Sequence, residues 1–164
     1  MIVAARASER DAGFVRLAAT VPLRMDPVAV AAMLERGPDG WELRSSNGGI
    51  RRFAVDLRLR LGGEATGLTT FGKAAWVDLG TVRRVGDGYV VPIEWQASSA
   101  APLFPVFSGE LRVEADRLSV NGLYAPPGGP VGRIADRALL HVGATGTARW
   151  LLGDIVRAAR EAAG

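Results

Sequence analysis

The sequence predicts an α+β fold: a seven-stranded, curved antiparallel sheet wrapped around a long C-terminal helix, with one short helix after the first strand. Three observations predict it. Apolar and polar residues alternate with period two through IRRFAVDLRLRL (50–61), as in a strand with one dry face. Strand-like runs follow one another across short glycine turns, NGG (47–49) and GDG (86–88), and such neighbours pair antiparallel. After a Pro/Gly break, APPGGP (125–130), the chain keeps the three-and-four spacing of an amphipathic helix to its end.

The elements read in order as follows. Residues 1–12 are a frayed tail, and 13–164 are one domain. FVRLAATVPLR (14–24) is the first strand. Asp26 is a good N-cap, Pro27 suits the first helical position and Gly37-Pro38 ends the run, which gives a helix over 27–36. WELRSS (41–46) and residues 50–61 form a hairpin. GGEATGLTTFG (62–72) reads as a long glycine-rich loop, either a rim over a site or plain surface. KAAWVDLGTVRRV (73–85) and YVVPIEWQAS (89–98) form the next hairpin, and Pro92 calls for an edge or a bulge because it lacks the ladder donor. Strands over 106–115 and 117–124 complete the seven.

In the terminal helix, capped by Gly129 and Pro130, one face carries Ile134, Ala138, His141, Thr145, Ala148, Leu152, Ile155 and Ala159. Its middle, from His141 to Ala148, is small and polar. A helix packed only for stability would place large aliphatics there, each worth about 1.5–3 kcal/mol when buried. Either a bulky neighbour (Trp95, Phe107 or Tyr124) fills the space, or a cavity does. Gly143, Gly146 and Gly153 fall near one stripe with Leu139 and Trp150, which reads as close backbone approach, a kink, or compositional drift.

These segments resemble the START-like (SRPBCC) superfamily of lipid-transfer domains, pollen-allergen-like proteins and polyketide cyclases. ATVPLRMDPVAVAAMLE (19–35) is similar to its first strand and helix, ELRVEADRLSVNGLYAPPGG (110–129) to its closing hairpin, and 130–161 to its terminal helix. Many members carry two short helices after the first strand; here only GPDG (37–40) precedes Trp41, so the second is tiny or absent. The resemblance implies a helix-grip fold with an interior pocket for an apolar ligand. It implies no particular activity, since members include carriers, receptors, cyclases and hydrolases.

Composition narrows the function. The 164 residues are 48% hydrophobic and 23% charged, with no cysteine, which excludes disulfides and cysteine metal sites. No run of 18 apolar residues exists, so no stable membrane insertion is expected. Net charge is +3, and Lys73 is the one lysine among 20 basic residues. Arg44, Arg51, Arg52, Arg58 and Arg60 are interleaved with Glu42, Asp56 and Glu64, which reads as a solvated strand face rather than a nucleic-acid track. No P-loop, dinucleotide fingerprint or G-x-S-x-G elbow is present, and no cofactor or metal is expected.

The inward face of the sheet, by alternation, holds Phe53, Val55, Leu57, Leu59, Val77, Leu79, Val91, Ile93, Trp95, Leu111, Val113, Leu118 and Val120. Asp56, Asp78 and Glu94 fall on the opposite phase, unless a bulge at Pro92 reverses Glu94. The candidate ligand-binding residues are therefore Trp95, Phe107, Tyr124, His141 and Thr145. The expected function is carriage of an apolar small molecule, such as a lipid, quinone or polyketide-like aromatic, in the cytoplasm. Two alternatives stand beside it. One is a cyclase- or hydrolase-like enzyme using His141 with Tyr124 or Thr145. The other is an interaction module, a homodimer included, that uses the glycine stripe or AAPLFPVF (100–107).

Overall fold

In a computed structural model, which describes residues 14–61, 69–98, 106–125 and 137–164, the chain forms eight strands and two helices. The elements are β1 (Val15–Pro22), α1 (Pro27–Arg36), β2 (Glu42–Asn47), β3 (Ile50–Leu61), β4 (Thr69–Leu79), β5 (Arg83–Val85), β6 (Gly88–Ala97), β7 (Val106–Val113), β8 (Arg117–Ala125) and α2 (Arg137–Ala163). The sheet runs β1-β8-β7-β6-β4-β3-β2, all antiparallel, and β5 pairs beside β6. The tail at 1–12, the Gly129–Pro130 cap and Ile134 lie outside the described residues.

α1 forms where its caps dictate. Asp26 accepts a hydrogen bond from the Val28 N–H at 2.9 Å, Pro27 opens the first turn, and the Gly37 N–H closes the last turn on the Met33 carbonyl at 2.9 Å. No helix follows it before Trp41. Arg51 then fastens α1 to the sheet. Its Nη1 donates to the carbonyls of Leu34 (2.6 Å) and Glu35, and its Nη2 to that of Gly80 (3.1 Å). These are orphan carbonyls of a helix end, which a cation satisfies well. Burial pulls the Arg51 guanidinium below its ordinary pKa, with Glu35 opposing.

Two expectations need correction. The run 73–85 is not one strand but β4 and β5, so the sheet has eight strands rather than seven. The break falls opposite Pro92. That residue has no N–H to offer, and its carbonyl accepts from Gly80 N at 2.8 Å where the ladder is interrupted. Pro92 thus sits in a central strand, at a gap between two neighbours. The second correction concerns the loop at 62–72: β4 begins at Thr69, where it pairs with Leu61. Residues 62–68 lie outside the described set.

The gap at Pro92 does not reverse the phase beyond it. Trp95 is buried and Glu94 is exposed. Every residue expected on the inward face is buried except Leu59, whose side chain lies outside the described set. Cross-strand pairing sets one row across this face: Val15, Tyr124, Phe107, Trp95, Val77 and Phe53. Next to that row, Gly109 pairs with Gly122, and the Phe107 ring lies over both. A Cβ at either glycine would come within 2.7 Å of Phe107 Cζ.

α2 crosses the inward face. It approaches β3 on one side and β1 and β8 on the other, but none of its described Cα atoms comes within 8 Å of β4, β6 or β7. A helix that touches both flanks of a sheet and not its middle faces a concave surface. This is the helix-grip arrangement.

Gly122→Ala should lose about 1–3 kcal/mol, because the added methyl displaces Phe107 or the facing strand. Urea denaturation measures the loss. The near-ultraviolet circular dichroism of the Trp95–Phe107 pair should change with it.

Candidate functional site

The site begins with two aromatic rings on neighbouring strands. Trp95 and Phe107 are register partners on β6 and β7, and their rings stack with centroids 3.9 Å apart and planes 15° apart. Tyr124 continues the row on β8 and is also buried. Trp95 and Phe107 stand on strands that α2 does not approach, whereas Tyr124 stands on β8, which it does. Stacking adds about 0.5–1.5 kcal/mol to the area they bury.

Opposite them α2 presents small residues. Ala144, Thr147 and Ala148 are buried, and below them Leu151, Leu152, Ile155 and Val156 are buried aliphatics. All but Thr147 belong to one continuous core with Trp95, Phe107 and Tyr124. Two polar atoms in this interior are buried without a hydrogen-bond partner among the described residues: Trp95 Nε1 and Thr147 Oγ1. Buried polar groups are nearly always paired, so each such atom calls for an explanation.

The expected site residues fare differently. Trp95, Phe107 and Tyr124 come together on one row. Thr145 is half-buried. His141 lies on α2, and its side chain is outside the described residues. Thr147, which sequence reasoning passed over, is the threonine fully enclosed on the helix. The signal for it was the spacing Ala144, Thr147, Leu151, Ile155 and Ala158. This runs along one side of the buried stripe, with Thr147 toward its edge; Ala148 and Leu152 are equally buried, and Thr145 marks the opposite edge.

The charged groups sit elsewhere. Asp56 and Glu94 are exposed, and Glu94 accepts from the Ser108 hydroxyl at 2.9 Å. Arg52 grips Asp78 with two hydrogen bonds of 2.8 and 2.7 Å, and that contact raises its pKa. Arg44 pairs with Glu42. Of the arginines at 44–60, Arg51 departs from the solvated face that the sequence predicts. It is instead half-buried and spent on carbonyls, because its position is in phase with the inward residues of β3. The side chains of Arg58 and Arg60 lie outside the described set. Among the described residues there is no group of three or more His, Asp or Glu placed to hold a metal.

A clamp fixes α2 over the sheet. Trp41 Nε1 donates to Asp154 Oδ2 at 2.9 Å, and the Trp41 ring meets Phe53 edge-on at 5.8 Å. Asp154 is also paired with Arg157, which reaches Glu161 at 3.0 Å. Behind this clamp the outer side of α2 forms a groove of about 500 Å3 along Gly146, Arg149, Trp150, Gly153, Asp154 and Arg157. Of the glycine stripe, Gly143 is buried, Gly146 half-buried and Gly153 exposed. A Cβ at Gly153 would meet nothing within 4 Å, so close packing within the described residues does not explain that glycine.

Comparison with known proteins adds little. No family model matches the sequence, and no curated protein matches it. Among solved structures the chain is similar to that in "Crystal structure of Ara h 8.0201", at 10% identity and a TM-score of 0.47, over 91% of this chain and 99% of that one. No helix among the described residues is long and apolar enough to cross a membrane.

Two outcomes follow from this geometry. Trp41→Phe should cost about 1 kcal/mol, and a double-mutant cycle with Asp154→Ala should return a coupling of similar size. Gly153→Ala should stabilise the protein by about 0.5–1 kcal/mol, since the site is open and helical. A loss of stability there instead, together with a shift from dimer to monomer in sedimentation, would make the groove a self-association surface.

Proposed function

We propose that this chain is a START-like binder that carries an apolar small molecule between the concave face of its sheet and α2, in the cytoplasm. The observation that carries the reading is the spacing of the helix. α2 rests on β3 and on β1 with β8, while the floor formed by β4, β6 and β7 stays beyond 8 Å of its described backbone. Trp95 and Phe107, stacked on that floor, share one core with the small Ala144 and Ala148 of α2. Large residues on the floor and small ones on the roof leave the room between them adjustable to a guest. An apolar lining with few polar atoms is the usual composition of a ligand pocket.

Carriage is favoured over catalysis by where the charges lie. Ser119 and Thr147 are the buried polar residues among those described, and Ser119 is on the outward phase of β8. Asp78 is held by Arg52, and Asp56 and Glu94 face water. Among the described residues no Asp or Glu is buried on the floor beside Tyr124, and the side chain of His141 lies outside them. A lipid, an isoprenoid quinone and a polyketide-like aromatic are the ligand classes proposed.

Nile red, a neutral apolar dye, should bind with a blue-shifted emission, and gentle purification followed by native mass spectrometry should reveal a co-purifying small molecule. Ala148→Phe fills the space beside Thr147 and should weaken dye binding by at least about tenfold, at a stability cost of about 1–3 kcal/mol. Gly153→Ala, on the far side of α2, should leave dye binding unchanged. No dye binding and no extractable molecule would sink the reading.

A further inference from the structure

We propose that the interior site selects neutral, largely apolar molecules that bear a hydroxyl or carbonyl oxygen, which pairs with the Trp95 indole N–H and the Thr147 hydroxyl. The inference rests on the reading just given and narrows its ligand. Trp95 is 1% exposed and Thr147 is 0% exposed, yet Trp95 Nε1 and Thr147 Oγ1 have no partner among the described residues. One stands on β6 and the other on α2, and Trp95 shares one core with Ala144, Ala148 and Leu151, the neighbours of Thr147 along the helix. An indole N–H can only donate, so its partner must be an acceptor. A hydroxyl both donates and accepts, so Thr147 Oγ1 is served by an alcohol, a phenol or a carbonyl alike.

The same surroundings reject charge. Among the described residues no Asp, Glu, Lys, Arg or His side chain is buried in this interior. Arg51 is committed to the carbonyls of Leu34, Glu35 and Gly80, and Arg52 to Asp78. A carboxylate brought here would lose its hydration and find no counter-ion. An unsubstituted hydrocarbon would keep its favourable transfer but leave both polar atoms without partners. The preferred guest lies between the two: an apolar body with one or two uncharged oxygens.

The test uses the whole chain and three probes of one size: naphthalene, 2-naphthol and 2-naphthoate. Affinities are measured by displacement of Nile red. For the native sequence, 2-naphthol should bind about tenfold more tightly than naphthalene, with 2-naphthoate weakest, as one hydrogen bond to a buried orphan group predicts. In Trp95→Phe and in Thr147→Val the preference for 2-naphthol should fall to within about threefold, while naphthalene binds as before or better. A second readout needs no variant of the binding residues to fold. In the 15N-labelled native protein, one buried indole N–H resonance should move downfield with 2-naphthol and stay in place with naphthalene.

If Nile red binds but 2-naphthol shows no advantage over naphthalene, water already serves these atoms; the inference falls and the carrier reading stands. Tightest binding by 2-naphthoate overturns the inference in the same way. Failure of the dye and of every probe removes the carrier reading, and this inference with it.

Discussion

The structure depends on one geometric constraint: a straight helix cannot follow a concave sheet. α2 meets the sheet at its flanks, on β3 and on β1 with β8, and stands off from β4, β6 and β7. The chain resolves the mismatch by unequal side chains. Trp95 and Phe107 stand on strands that α2 does not approach, and they share one core with its small Ala144 and Ala148. Phe107 can lie flat because Gly109 and Gly122 leave the surface beside it bare. Packing in this region is thus set from the sheet.

The two halves of α2 consequently do different work. Its second half carries Leu151, Leu152, Ile155 and Val156, all buried, and α1 packs against α2 while contributing Val30, Met33 and Leu34 to the same core. Each such side chain contributes about 1.5–3 kcal/mol by leaving water. The Trp41–Asp154 hydrogen bond adds direction to that apolar contact, fixing the rotation of the helix about its axis, while the Arg157 ion pairs stay within α2. In the described part of the first half the buried side chains are Ala144, Thr147 and Ala148, all small.

Much of this was legible in the sequence because it is local. Asp26, Pro27 and Gly37 delimit α1 by their own backbone chemistry, and the alternation from Phe53 to Leu57 fixes the dry face of β3. What was not legible depends on partners far along the chain. The break between β4 and β5 is imposed by Pro92 on a neighbouring strand. The strand character of 69–72 comes from pairing with β3, against a glycine- and threonine-rich local signal. Arg51 looked solvated because its neighbours in sequence are charged, yet its carbonyl partners lie on α1 and at Gly80. Thr147 was missed for another reason: a buried stripe about three residues wide has two edges, and sequence spacing alone fits either. The Trp41–Asp154 contact spans 113 residues and leaves no local trace.

The unpartnered atoms bear on what kind of interior this is. Phe at position 95 would keep the stack on Phe107, and Val at position 147 would keep the shape of Thr147. Neither would leave a donor or acceptor stranded, which costs about 1–3 kcal/mol, although Phe would give up part of the area that the indole buries. Among the described residues no hydrogen bond offsets that polar cost at Trp95 or Thr147. The Trp41–Asp154 clamp and the buried Leu151, Leu152, Ile155 and Val156 lie further along α2, so the cost at Thr147 falls apart from the contacts that hold the helix in place.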